Sequence, residues 1–318
     1  MLLRRTITRV RRSTILDRPD VRRTGLLAGS ARSGTTWVAG LLNAENAYRD
    51  MFEPFHPGKV DRISHFAFRQ YLRADEMRPR FTEPIMSILA GDIRHPWVDK
   101  HNERLWVRYR LIKEIRANLF LGFIRAAVAN LPIVLLLRHP VAVAASRAEL
   151  GWSVDLRSFL AQSDLVEDHL APFVDVISST SDPFLQHVVL WCIENRVALR
   201  DLGAASPART HVCYYEHFCA DPVAETTAVL ELFARAGLVP PSAEHTASVR
   251  QVADRPSPLA KAHSAVNTGD DRIRGWRSRV SVEQVRLALD LVTAFGLDGI
   301  YSDDVLPHQS SGGCPTIH

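Results

Sequence analysis

Apolar residues along this chain come in short runs separated by polar stretches, and two periodicities alternate. Leu26 to Ala28 is a short apolar run that ends in small residues. From Thr35 the spacing changes, and Val38, Leu41 and Leu42 share one face of a helix. Tyr48 to Phe52 predicts a short strand closed by Pro54, Pro57 and Gly58. Tyr109-Arg-Leu-Ile-Lys113 predicts another, followed by a helix over about 116–130. Pro132-Ile-Val-Leu-Leu-Leu-Arg138 is continuously apolar, the pattern of a parallel strand buried on both faces, and an Ala-rich helix over 141–149 follows it. Asp182-Pro183 supplies the cap and first turn of a long helix over roughly 183–202. Thr210 to Tyr215 is a further strand, and Asp221-Pro222 opens a helix reaching about Ala236-Gly237. Ser281 with Gln284 forms a capping box for a last helix over about 282–295.

Strands alternating with helices predict an α/β fold of three layers, a central parallel sheet flanked by helices, with ligands at the carboxyl ends of the strands. Residues 24–300 read as a single domain. Residues 60–106 are aromatic, mixed in charge and broken by Pro79, Pro84, Gly91 and Pro96 into short helices and loops. The stretches at about 58–108 and 150–182 read as substrate-facing insertions. Residues 254–279 read as a polar loop, and 301–318 as a flexible tail.

Composition narrows the function. The 318 residues carry a formal charge of only +4, from 35 Arg, four Lys and 35 acids. That mild surplus suits anionic ligands but is no nucleic-acid footprint, and nothing interleaves basic with aromatic residues. The four cysteines show no metal spacing and fit a reducing, cytoplasmic compartment; no metal site is expected. No apolar run approaches the ~18 residues of a membrane span. Residues 1–23 hold eight Arg and only Asp17 and Asp20 as acids. Their composition fits a transit peptide, but the simpler reading is a basic arm lying on the domain or on an anionic surface.

The most informative stretch is Gly25-Leu-Leu-Ala-Gly-Ser-Ala-Arg-Ser-Gly-Thr-Thr-Trp37. Strand, small-residue loop and helix form a phosphate cradle, because loop amides and the positive end of the helix converge on an anion. Gly29 and Gly34 have the G-x-x-x-x-G spacing of a nucleotide triphosphatase, and Thr36 takes the hydroxyl position. Thr35, however, stands where such an enzyme needs lysine, and a cation appears inside the loop at Arg32. The loop reads as built for a phosphate-like group that is not a triphosphate. The spacing alone leaves a P-loop small-molecule kinase as an alternative.

Ser30-Ala-Arg-Ser-Gly-Thr-Thr-Trp37 resembles the 5′-phosphosulfate loop of the sulfotransferases, which use 3′-phosphoadenosine 5′-phosphosulfate (PAPS) as co-substrate. The resemblance implies a P-loop-type α/β fold and sulfonate transfer to a hydroxyl, with a small molecule, carbohydrate or glycolipid as acceptor. Arg32, Ser33, Gly34, Thr35 and Thr36 would hold the phosphosulfate. Arg138 at a strand end, with Ser146 eight residues on, resembles the family's 3′-phosphate pair; a guanidinium fork matches phosphate oxygens, and a hydroxyl adds a donor. Arg147 is either a further phosphate partner or a solvated helix residue, and His139 reads as structural. Trp37 is either an adenine platform or a core residue. Tyr215-Glu216 resembles a stretch whose tyrosine approaches the nucleotide, and Tyr214 competes for that role. His263 to Thr268 and Gly275-Trp276-Arg277 resemble the segment that folds over the nucleotide, with Ser264, Asn267, Arg272 and Arg274 as candidates there.

The histidine stretch of the cytosolic enzymes is absent; Leu111-Ile-Lys-Glu-Ile-Arg116 stands in its place. Phe52-Glu53-Pro54 resembles instead the carbohydrate and tyrosylprotein branches, where a glutamate is the candidate base. The plain alternative for Glu53 is a strand-end acid paired with Arg49 or Lys59, and His56 is the rival base. Lys113, like Arg32, would stabilise charge growing on the bridging oxygen, or would form an ordinary strand-end salt bridge. A relative that keeps the nucleotide site but has lost the chemistry is a further alternative.

Overall fold

The computed structural model describes residues 15–102, 104–203, 209–255, 271–315 and 317. Five parallel strands, β1 (Thr24–Gly29), β2 (Tyr48–Phe52), β3 (Tyr109–Glu114), β4 (Ile133–Leu137) and β5 (Thr210–Tyr214), form one sheet in the order β2-β3-β1-β4-β5. Side-chain alternation sorts their residues into two cores. Leu26, Ala28, Ile112, Ile133, Leu135 and Leu137 join one apolar cluster, and Leu27, Leu111, Val134, Leu136 and Cys213 join the other. Burial on both faces explains why β4 is apolar throughout.

The helices cover both faces. Here α1 is Thr35–Leu42, α2 Pro79–Leu89, α3 Leu121–Ala127, α4 Pro140–Ala148, α5 Pro183–Gly203, α6 Tyr215–Ala220, α7 Pro222–Arg235, α8 His245–Ala253 and α9 Val282–Ala294. α1, α7 and α8 pack with the second cluster, and α3, α4, α5 and α9 with the first. The expected caps are present: Asp221 accepts from the amides of Val223 and Ala224, and Ser281 and Gln284 bond reciprocally.

Several expectations change. The helix expected over 116–130 is a 3₁₀ turn, Asn118–Phe120, followed by the short α3. Tyr215 opens α6 rather than ending β5. α8 lies between the helix ending at about 237 and the loop from 254, where no element was predicted. Pro79 and Pro84, read as breakers, sit at the start of and inside one helix, α2. Pro84 leaves the carbonyl of Arg80 without its intrahelical donor, and the imidazole Nε2 of His65 donates to that carbonyl at 2.6 Å.

The described part of the tail differs from expectation, whereas residues 15–23 lie on the domain, one of the two readings of the arm. Tyr301 is fully buried, and Gly312 exchanges two backbone hydrogen bonds (2.7 and 2.8 Å) with Val212 on the edge strand β5. Residues 301–315 thus dock on the domain and cover a sheet edge that would otherwise be open. At the other end, Arg49 of β2 and Arg110 of β3 are cross-strand partners, both fully buried. Two guanidiniums there would repel. Asp17 resolves the conflict, its Oδ2 accepting from Arg49 Nη1 at 2.9 Å and Arg110 Nε at 2.7 Å, while Asp99 accepts from Arg49 Nε at 2.8 Å. Residues 15–23 are therefore part of the domain; residues 1–14 lie outside the described residues. Among the described residues no helix is long and apolar enough to cross a membrane.

Asp17→Ala should leave Arg110 without a carboxylate and Arg49 with Asp99 alone, and breaking a buried pair in this way costs about 3–5 kcal/mol. Urea unfolding of the full chain measures it. A loss below about 1 kcal/mol, the value of an exposed pair, would show that the segment merely decorates the surface.

Candidate active site

The strand order builds the site. With β1 at the centre, its loop emerges between the ends of β2 and β3 on one side and those of β4 and β5 on the other. Ala31, Ser33 and Thr35 of that loop are buried. Arg32 and Gly34 take left-handed backbone angles, φ 76° and 92°. The second is open only to glycine here, because a Cβ would collide with the ring of Tyr215. The amides of Gly34, Thr35 and Thr36 make no backbone hydrogen bond among the described residues, as expected at a helix start. The Oγ of Ser33 and the Nε1 of Trp37 are buried without a partner. A cradle of free amides with an orphaned hydroxyl fits an oxyanion.

On the β4–β5 side, Arg32 Nε donates to Ser146 Oγ at 3.0 Å, and Arg138 Nη1 donates to the carbonyl of Arg32 at 3.1 Å. The Arg138 guanidinium lies 4.2 Å from the centroid of the Tyr215 ring, which meets Trp37 edge-on at 5.6 Å. Arg272 stands 5.3 Å over the other part of this wall, the Trp37 ring. Neither Arg32 nor Arg138 has a carboxylate within 4.0 Å among the described residues. The crevice therefore holds two guanidiniums short of counter-charge. Tyr215, not Tyr214, lines it; Tyr214 is buried against Tyr301 on the opposite core. His139 is structural as read: it stacks on Trp276 at 4.6 Å and bonds the Ser302 carbonyl at 3.1 Å. Trp276 is itself buried. Arg274 is exposed, while Ser264 and Asn267 lie outside the described residues.

On the β2–β3 side, Glu53 follows β2 with φ 45°. Its partners are neither Arg49 nor Lys59. Lys113 Nζ lies 2.6 Å from Oε1 and Arg116 Nη1 2.7 Å from Oε2. Burial pushes the Glu53 carboxyl up, but the two cations outweigh it and hold the pKa below the usual carboxylate range. Lys113 thus forms the strand-end salt bridge of its plain reading, buried and with the candidate base as partner. His56 Nδ1 accepts from the Gly58 amide at 3.2 Å, which leaves the proton of the neutral ring on Nε2. Burial, with Arg116 nearby, pushes its pKa down to about 4.

Two residues behind the site escaped the sequence reading. Glu194, fully buried in α5, accepts from Ser30 Oγ at 2.7 Å, from Arg147 Nη2 at 3.1 Å and from Arg69 Nε. Arg147, read as a phosphate partner or a solvated residue, is neither: it is fully buried and its Nε donates to the Ala31 carbonyl at 3.1 Å. Arg116 is the other omission. A signal existed for Glu194, an acid amid the apolar residues of α5, but nothing in the sequence paired it with a loop 164 residues earlier.

The model of the sulfotransferase family matches residues 26–236, two thirds of the chain, and the chain belongs to that family. Solved structures resemble it at low identity. The sulfotransferase domain from the curacin biosynthetic pathway is 14% identical, covers 87% of this chain and 98% of its own, and superposes with a TM-score of 0.44. A mouse sulfotransferase complexed with PAP is 12% identical, with 86% and 84% covered and a TM-score of 0.43. Retinol dehydratase in complex with androsterone and inactive cofactor PAP is 14% identical, with 92% and 84% covered and a TM-score of 0.39. No curated protein gives a significant match.

The histidines yield a pH prediction. Burial holds His139 down to about 4, whereas an unfolded imidazole takes a proton near 6.5. Between those values the unfolded chain binds more protons, so this histidine's contribution to stability falls as pH drops from about 6.5 towards 4. Asp50, Glu114 and Glu216, raised by burial, act in the opposite sense. The readout is therefore the difference between wild type and His139→Phe, which keeps a ring against Trp276. The stability of wild type relative to the variant should decrease from pH 7 to pH 5; a pH-independent difference would contradict the assignment.

Proposed function

We propose that this sulfotransferase moves a sulfonate group from PAPS to a hydroxyl acceptor, a sugar or glycolipid hydroxyl being the class in view. The observation that carries this is the arrangement along the carboxyl ends of the strands: two guanidiniums without a carboxylate partner on one side of the β1 loop, and a buried ionised carboxylate on the other. The co-substrate supplies an activated sulfonate. Arg32, Ser33 and the amides of Gly34, Thr35 and Thr36 would hold its phosphosulfate end, Arg138 and Ser146 its 3′-phosphate, and Trp37, Tyr215 and Arg272 the adenine side.

Glu53 is assigned the base. Kept ionised by Lys113 and Arg116, it accepts rather than donates a proton. The same cations lower its basicity, so proton transfer belongs late, when the acceptor oxygen has begun to bond to sulfur and its proton is acidic. Lys113 sits between this carboxylate and the end of the loop strand, since β3 pairs with β1 through Leu27 and Lys113. From there it can stabilise negative charge at the loop mouth alongside Arg32. His56 is the weaker base, because its Nδ1 is engaged as an acceptor and its Nε2 carries the proton. The kinase alternative is opposed by the family match and by Thr35 in the lysine position.

Two outcomes follow. Adenosine 3′,5′-bisphosphate should bind roughly a hundredfold or more better than AMP, since each charged hydrogen bond contributes about 1.5–3 kcal/mol. Arg138→Ala should narrow that gap; equal affinities of the wild type by calorimetry would remove the 3′-phosphate assignment. With the best acceptor from a panel of hydroxyl compounds, Glu53→Gln should lower turnover roughly a hundredfold to ten-thousandfold with bisphosphate affinity little changed. His56→Asn should cost far less. Near-normal turnover in Glu53→Gln beside an inactive His56→Asn would move the base to imidazole, and an inert wild type that still binds bisphosphate would favour a silent relative.

A further inference from the structure

The rim around Glu53 carries charge that the proposed reaction does not use. Lys100 places its Nζ 3.3 Å from the centroid of the Phe52 ring and 4.0 Å from that of Trp97. Lys59 lies 5.8 Å from the same Trp97 ring. The other cations at this mouth each touch a carboxylate, Lys113 and Arg116 sharing Glu53 and Arg69 meeting Glu194. Lys59 and Lys100 have no carboxylate oxygen within 4.0 Å among the described residues. Half-burial, with Lys113 nearby, depresses the Lys100 pKa to about 8, while Glu53 and Asp50 act to raise it.

The rings make this a surface as well as a charge. Trp97 Nε1 donates to the Glu53 carbonyl at 3.3 Å, so the rim is tied to the backbone of the candidate base. His56 meets Trp97 edge-on at 5.6 Å and Phe68 at 5.5 Å. Phe68 is 49% exposed, although the Arg116 guanidinium stands 4.8 Å over its ring. Ring contacts of this kind repay only about 0.5–2 kcal/mol to a desolvated ammonium, and they leave its charge unneutralised. An anion arriving here would find two cations without partners, beside flat apolar faces.

We propose that the acceptor is itself anionic: a hydroxyl compound bearing a carboxylate or sulfate, which Lys100 and Lys59 engage while the acceptor's ring rests on Trp97 and Phe68. This rests on Glu53 marking the acceptor side of the site. The charged group would orient the molecule so that its hydroxyl, and not its anionic oxygen, meets the Glu53 carboxylate, which repels a second negative charge.

The test compares 4-nitrophenyl glucoside with its glucuronide and its 6-sulfate, compounds that share a ring and hydroxyls and differ in charge. Calorimetry on the full chain saturated with adenosine 3′,5′-bisphosphate reads binding without turnover. The glucuronide, the 6-sulfate or both should bind about tenfold to a hundredfold tighter than the neutral glucoside, the value of a charge-assisted contact. That preference should shrink as salt is raised and collapse in Lys100→Met, which keeps the aliphatic stem over Phe52. Bisphosphate affinity reports whether the variant is folded, and the salt series on wild type serves if it is not. Equal binding of charged and neutral compounds, or a preference that persists in Lys59→Met/Lys100→Met, would overturn the proposal. Failure of the Glu53 reading looks different: the binding preference would stand while Glu53→Gln turned over normally.

Discussion

The site depends on a carboxylate that never meets a substrate in this reading. Glu194 sits fully buried beneath the β1 loop and holds Ser30 at the loop's start, Arg147 from α4 and Arg69 from the insertion. Burial pushes its carboxyl up, yet Arg69 and Arg147 hold it below the ordinary range, so it stays ionised. Arg147 in turn fixes the Ala31 carbonyl. The loop is thus clamped at two successive residues just before Arg32, which adopts an angle that costs a non-glycine residue about 1–3 kcal/mol. A loop held only by its own turns would relax; held this way, it keeps its amides and its cation aimed at one volume. Because Arg69 belongs to the 58–108 segment, the same carboxylate also joins the loop to that segment.

The sheet order converts local features into a site. β1 carries the loop, but the residues that flank it come from strands added on both sides, and each contributes at its carboxyl end. The two edge strands need protection, and the chain's own ends contribute to it. Asp17 neutralises the arginine pair that ties β2 to β3, while Gly312 pairs with β5. Segments that look dispensable in sequence therefore hold the frame in which Glu53 and Arg138 face a common loop.

Electrostatics divides that frame in two. On the β4–β5 side Arg32 and Arg138 lack carboxylate partners, so charge is left over for an anionic ligand. On the β2–β3 side Lys113 and Arg116 share the single carboxylate of Glu53, and further positive charge lies outward at Lys100 and Lys59 on aromatic supports. Two cations on one carboxylate leave a net positive charge around Glu53, which keeps that carboxylate ionised. In the proposed reading the outer lysines serve recognition rather than chemistry.

Much of this was legible from residues alone. Strand β4, the caps at Asp221 and Ser281 and the small-residue loop are local patterns, set by backbone sterics, hydrogen-bond capping and periodic burial over a few residues. An α/β chain with a loop of phosphate-cradle pattern and an arginine at a neighbouring strand end followed from the residues alone. Tertiary structure alone decided which tyrosine of 214 and 215 lines the crevice, because a helix start at Tyr215 breaks the strand alternation. It alone brought Glu194 to Ser30, Asp17 between Arg49 and Arg110, and Arg116 to Glu53. It also decided that 301–315 would dock and that Pro84 would sit inside a helix, where His65 takes up the freed carbonyl. These contacts share a cause. A buried charge or orphaned polar group must find a partner wherever the fold brings one, and separation along the chain carries no trace of that choice.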